Sequence, residues 1–135
     1  MKVNYLQIGD WVKISHLNKI GKVYRIDRAN GEGNGYAAVI DGDYHEWNLE
    51  PIPLQRIHLI KNGFKVRDSD DTEFYYYDCY EINVSFDEGI SEENIPPIIF
   101  LTIEFAEKDI AMPIEYVHEL QQAMRIMGCD KKIEL

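Results

Sequence analysis

The residues with the most chemical promise lie near the C-terminus, where His118-Glu119-Leu120-Gln121-Gln122 stops one histidine short of the zinc-hydrolase signature H-E-x-x-H. That signature works because histidines at i and i+4 sit on successive turns of one helix face and reach a single ion, with the glutamate as general base. Gln122 offers a neutral amide oxygen to a metal that prefers imidazole or thiolate. His16, His45 and His58 all lie far upstream, and no third ligand follows at metzincin spacing. The residues therefore assign no catalytic group, no metal and no cofactor. Instead, Val117, Leu120, Met124 and Met127 recur every three or four positions as an apolar stripe, widened by Tyr116 and Ala123. His118, Gln121, Gln122 and Arg125 fall on the other face, which is expected to be solvated and energetically idle.

Other chemical motifs fail on their own requirements. Gly31, Gly33 and Gly35 in "GEGNG" lack the helix that must follow a phosphate loop, and read as a hairpin connection. "DSDDTE" clusters Asp68, Asp70, Asp71 and Glu73 without the turn glycine of a calcium loop, and reads as a solvated turn. Cys79 and Cys129 have neither metal nor redox spacing and are expected to be reduced thiols. No serine or cysteine stands beside a histidine as an activated nucleophile.

Two surfaces remain as candidates for binding. If Val12, Ile14 and Val23 point inward, then Trp11, Lys13, Lys22 and Tyr24 share an outward face, aromatic and basic, suited to a peptide or to single-stranded nucleic acid. The cluster Phe74, Tyr75, Tyr76, Tyr77 and Tyr80 must also split between two sheet faces. One set packs on the last helix. The other is partly exposed and reads either as cross-strand pairing or, with Tyr75 and Tyr77 as its candidates, as a partner surface.

Charge bears on the partner. The 135-residue chain carries a net charge of −10, with seven basic and seven acidic side chains in residues 1–60 and seven basic against seventeen acidic in residues 61–135. A nucleic-acid binder needs a positive surface, so only the N-terminal half tolerates phosphate. No apolar run approaches the roughly 18 residues of a membrane span, and "MKVNYLQIGDW" has no secretory core. A cytoplasmic location and no membrane partner are the resulting expectations.

The elements that position these residues are short. "WVKIS", "KVYRID", "YAAVI" and "YHEWNLE" read as strands, with Asp41-Gly42 as a tight turn. Pro51 and Pro53 end the pairing, and Pro53 suits the first turn of a connecting helix, "PLQRIHLIKNG", capped by Asn62-Gly63. "GFKVR", "EFYYYDCYEINVSF" and "PIIFLTIEFA" are strands, "EKD" a turn and "IAM" a short strand. Pro113 opens the last helix and Gly128 closes it. The expected fold is α+β and mostly β: an SH3-like small β-barrel over residues 1–52, then an α+β unit over 53–135 with an antiparallel sheet and the C-terminal helix packed on it.

"IGDWVKI" followed by Gly21-Lys22-Val23 resembles the opening of SH3-like, KOW-type barrels. With "LEPIPLQRIHLIKNGF" and "YVHELQQAMRIMGCDKKIEL", nearly the whole chain resembles uncharacterised small proteins of Bacteroidetes genomes and their prophages and mobile elements. The resemblance implies a barrel and a mobile-element context. In similar chains the helix can read His-Glu-Leu-Gln-His, so the apparent zinc motif comes and goes. The leading expectation is a non-enzymatic interaction module with a protein partner. The alternatives are a nucleic-acid-binding accessory protein using the barrel face, and a hydrolase with a degenerate metal site.

Overall fold

In the computed structural model, the described residues are 1–28, 36–42, 44–46, 48–69, 72–77, 82–87, 97–105 and 108–135. The glycine loop, Asp70, Asp71, Cys79, Tyr80 and Glu107 lie outside them. The protein is mostly β, with two antiparallel five-stranded sheets. It divides into two compact units, Met1–Pro53 with Tyr116–Gln122, and Leu54–Glu115 with Ala123–Leu135.

In the first unit, β1 (Trp11–Ile14), β2 (Lys19–Arg28), β3 (Tyr36–Ile40), β4 (Tyr44–Glu46) and β5 (Leu49–Glu50) lie in the order β4-β3-β2-β1-β5. Strand β1 alternates as its sequence dictates: Val12 and Ile14 are fully buried, while Trp11 and Lys13 are half-buried. The core joins them to Val3, Leu6, Val23, Ala38, Ile40 and Leu49, with Ile26 and Tyr36 packed against it. The pairing register shifts between Val23 and Arg25. That bulge leaves Tyr24 and Arg25 both outside and returns Ile26 to the core, which strict alternation would not do. Asp41 and Gly42 take φ of 52° and 82°, the positive angles the turn needs. Gly21 is required by space, because a Cβ there would collide with the Ile40 side chain and the Asp41 carboxylate. The expected closed barrel is not found. The ladders run from β4 to β5 without joining those two strands, so the sheet is open among the described residues.

Pairing in this sheet stops at Glu50, immediately before Pro51. Pro53 does not open a helix. It forms an isolated antiparallel bridge with Tyr116, and the Val117 N–H donates to the Ile52 carbonyl at 2.9 Å.

In the second unit, β6 (Lys65–Ser69), β7 (Thr72–Tyr77), β8 (Ile82–Asp87), β9 (Ile98–Phe105) and β10 (Lys108–Ile114) form a simple meander. Its buried face carries Tyr75, Ile82, Val84, Phe86, Ile99, Leu101 and Ile103. Helix α1 (Arg56–Lys61) buries Leu59 and stops at Asn62, with Gly63 at φ 83°. Asn62 is 3% exposed and clips the C-terminal segment: its amide donates to the Glu134 carbonyl and accepts the Glu134 N–H, both at 2.7 Å.

Two expectations near the C-terminus need correction. Pro113 lies within β10, which is an edge strand and so tolerates a missing N–H. Helix α2 (Val117–Ile126) starts four residues later, and Gly128 follows its end at φ 77°. The helix is also shared between units: residues through Gln122 group with the first, and those from Ala123 with the second. Its apolar stripe is as expected, with Val117, Leu120, Ala123 and Met124 all buried.

Candidate functional site

Trp11, Lys13, Lys22 and Tyr24 lie on β1 and β2 of the first sheet. Trp11 and Lys22 are direct cross-strand partners, and the Lys22 ammonium sits 5.1 Å from the centroid of the Trp11 ring, a cation–π contact. Lys13 faces Ile20 on one side and Glu50 on the other, with its Nζ 3.5 Å from the Glu50 carboxylate. Tyr24, placed at the bulge, is 62% exposed. Arg25 beside it is held by Asp27 through Nε at 2.9 and 3.1 Å, a side-chain hydrogen bond and charge pair that raises the guanidinium pKa further above its ordinary value. Most of the cations here are thus already compensated.

The two tyrosines of the second sheet are different. Tyr75 is 3% exposed, packs edge-on against Phe86 at 5.5 Å, and donates its hydroxyl to Glu73 Oε2 at 2.9 Å. It is a core residue with its polar end satisfied, not a partner surface. β7 places it on the inner face, where register pairs it with Val84. Tyr77 shares that face, half-buried against Phe64 at 5.4 Å. Glu73 also accepts a 2.7 Å bond from Arg56, and that bond, followed by the one from Tyr75, lowers its pKa.

The polar face of α2 is not idle. Gln121 is 6% exposed; its Oε1 accepts the Trp11 N–H and its Nε2 donates to the Gly9 carbonyl, both at 2.9 Å. Gln122 Nε2 donates to the Asp10 carboxylate at 2.8 Å and to the Tyr5 carbonyl at 3.0 Å. Asp10 is fully buried, and its Oδ2 also accepts the Gln7 N–H at 2.8 Å. Gly9 (φ 93°) and Asp10 in turn tie to Val23, whose carbonyl and N–H they engage at 2.7 and 2.9 Å. The position that a zinc site would give to histidine is therefore a clamp, and it needs an amide's N–H donors. Glu119 reaches back to accept the Tyr116 N–H at 3.1 Å, half of a capping box.

His118 lies among these groups. Its ring stacks on Tyr116 at 5.9 Å with 10° between planes, and its buried Nδ1 has no hydrogen-bond partner among the described residues. Burial lowers its pKa, and the Asp10 and Glu119 carboxylates offset only part of that. Among the described residues, no three His, Cys, Asp or Glu side chains converge as a metal-ligand set.

Sequence reading missed this network because its partners are separated by about 110 residues. The only local hints were two adjacent glutamines on an amphipathic helix and a Gly-Asp turn ahead of a strand. No family model, curated protein or solved structure matches the chain. No helix among the described residues is long and apolar enough to cross a membrane.

Proposed function

We propose that the chain is a non-enzymatic interaction module that binds a protein partner through the face carrying Trp11, Lys13, Lys22 and Tyr24. The observation that carries this reading is the composition of that face. It combines a tryptophan held by a cation–π contact, a 62% exposed tyrosine and a 41% exposed isoleucine, Ile20. Protein is favoured over nucleic acid because Lys13 and Arg25 are paired with Glu50 and Asp27, and phosphate binding depends on uncompensated cations. The return of β5 to β1 after a four-strand meander supports reading the first unit as a relative of SH3-like barrels. The mobile-element context and a cytoplasmic location belong to the same proposal; the first rests on the sequence resemblance, the second on an N-terminal segment without a secretory core.

The test is affinity capture from producing cells, followed by direct titration of the purified captured protein. Tyr24→Ala and Trp11→Ala each weaken binding at least tenfold, about 1.4 kcal/mol, if this face is the interface. Unchanged affinity in both variants would remove the assignment. Submicromolar, salt-sensitive binding to single-stranded nucleic acid would replace the partner class.

A further inference from the structure

We propose that His118 makes the junction between α2 and the Gly9–Asp10 turn an acid-released latch: neutral His118 keeps the helix's first turn seated, and protonation unseats it. The inference rests on the geometry of the first unit alone and stands whether or not the Trp11 face binds protein.

Three features of the site disfavour an imidazolium. Its Nδ1 is buried and has no hydrogen-bond partner among the described residues, so a proton placed there gains no hydrogen bond in this geometry. It occupies the second residue of α2, where the positive end of the helix dipole opposes a cation. It is also half-buried, with its ring nearly parallel to that of Tyr116 at 5.9 Å, so part of the hydration an imidazolium needs is lost. The charged groups facing it are Asp10, from the turn before β1, and Glu119, from its own helix. Both attract a cation. Asp10 Oδ2, however, already accepts from Gln7 and Gln122, so it can turn toward an imidazolium only by weakening the clamp. Desolvation outweighs the two carboxylates. With a folded-state pKa below the ordinary value of about 6.5, the unfolded or opened form binds more protons. Stability is then fully present above about 6.5 and declines as pH falls through the window beneath it.

The element that moves is the seat held by Gln121 and Gln122. Because Gln121 holds the backbone N–H of Trp11, opening also frees the first residue of β1. Amide hydrogen exchange read by NMR at pH 7.5 and 5.0, corrected for intrinsic exchange, tests this directly. Protection of the Trp11 amide is expected to fall at least tenfold at the lower pH, while the Val84 amide in the second unit keeps its protection. His118→Phe keeps a ring on Tyr116 without a titrating group, and is expected to abolish the change; His58→Gln is expected to retain it. A wild-type Trp11 amide indifferent to pH would overturn the latch. So would an equal loss at Val84, or the same pH response in His118→Phe. Should that variant fail to fold, the ring titration of His118 in the wild-type protein decides, and a midpoint at or above about 6.5 sinks the proposal.

Discussion

At the scale of single residues, α2 contains two kinds of buried side chain with different energetics. Leu120 is 1% exposed on the apolar stripe, and Leu120→Ala removes packed methyl groups and leaves a cavity, costing about 2–5 kcal/mol. Gln121 is buried on the face that sequence periodicity reads as solvated. Gln121→Ala withdraws one acceptor and one donor from the backbone of Gly9 and Trp11, and costs about 1–3 kcal/mol. Denaturant melts are expected to order the variants as Leu120→Ala, then Gln121→Ala, then wild type. A Gln121→Ala protein as stable as wild type would mean that water replaces both bonds without loss. Glycine at position 21 belongs to the same scale: the turn carboxylate of Asp41 accepts the Lys22 N–H at 2.9 Å only because no Cβ precedes it.

At the scale of elements, the short helix α1 is held at its start by an unusual cap. The Gln55 N–H donates to His58 Nδ1 at 3.1 Å, so the imidazole must be neutral on that nitrogen. Burial lowers the His58 pKa, and Lys61 adds to the shift. The folded value lies below the unfolded one, so the cap's contribution is complete above about pH 6.5 and is lost as pH falls beneath it. Glu73 has the other sign of charge and a lower window. Its depressed pKa stabilises the fold above the carboxylate range, and that contribution disappears as pH falls through the folded value. Thermal melts between pH 8 and 5 are expected to show stability declining toward acid. His58→Gln should reduce the slope below pH 6.5 without removing the part due to His118. An unchanged slope in that variant would show that the cap does not titrate.

At the scale of the whole molecule, the sharing of α2 makes the first unit dependent on the far end of the chain. Residues 1–53 contain all five strands of the first sheet, but Tyr116–Gln122 complete the unit. Without them the Asp10 carboxylate loses Gln122, the Tyr5 and Gly9 carbonyls lose their donors, and the Trp11 N–H loses its acceptor. A fragment of residues 1–53 is therefore expected to lack the dispersed amide spectrum of a folded domain. Addition of a peptide spanning 114–128 should restore part of it. A fragment that folds cooperatively by itself would show the helix to be dispensable.

The sequence by itself determined the local structure. Alternation in "WVKIS", positive φ at Asp41-Gly42, the stop before Pro51, the cap at Asn62-Gly63 and the stripe through Leu120 each follow from neighbours within a few residues. Local sterics and hydrophobic periodicity govern such features. Tertiary structure decided the rest. The bulge at Tyr24 depends on pairing with β3, and the burial of Tyr75 depends on which sheet face the second unit covers. Pro113 entered β10 because an edge strand accepted it. The helix with an incomplete zinc motif became a clamp because a buried Asp10 and the Gly9 carbonyl stood where two glutamines could reach them. Hydrogen bonds between residues about 110 positions apart leave no periodicity to read, and only the fold brings donor and acceptor together.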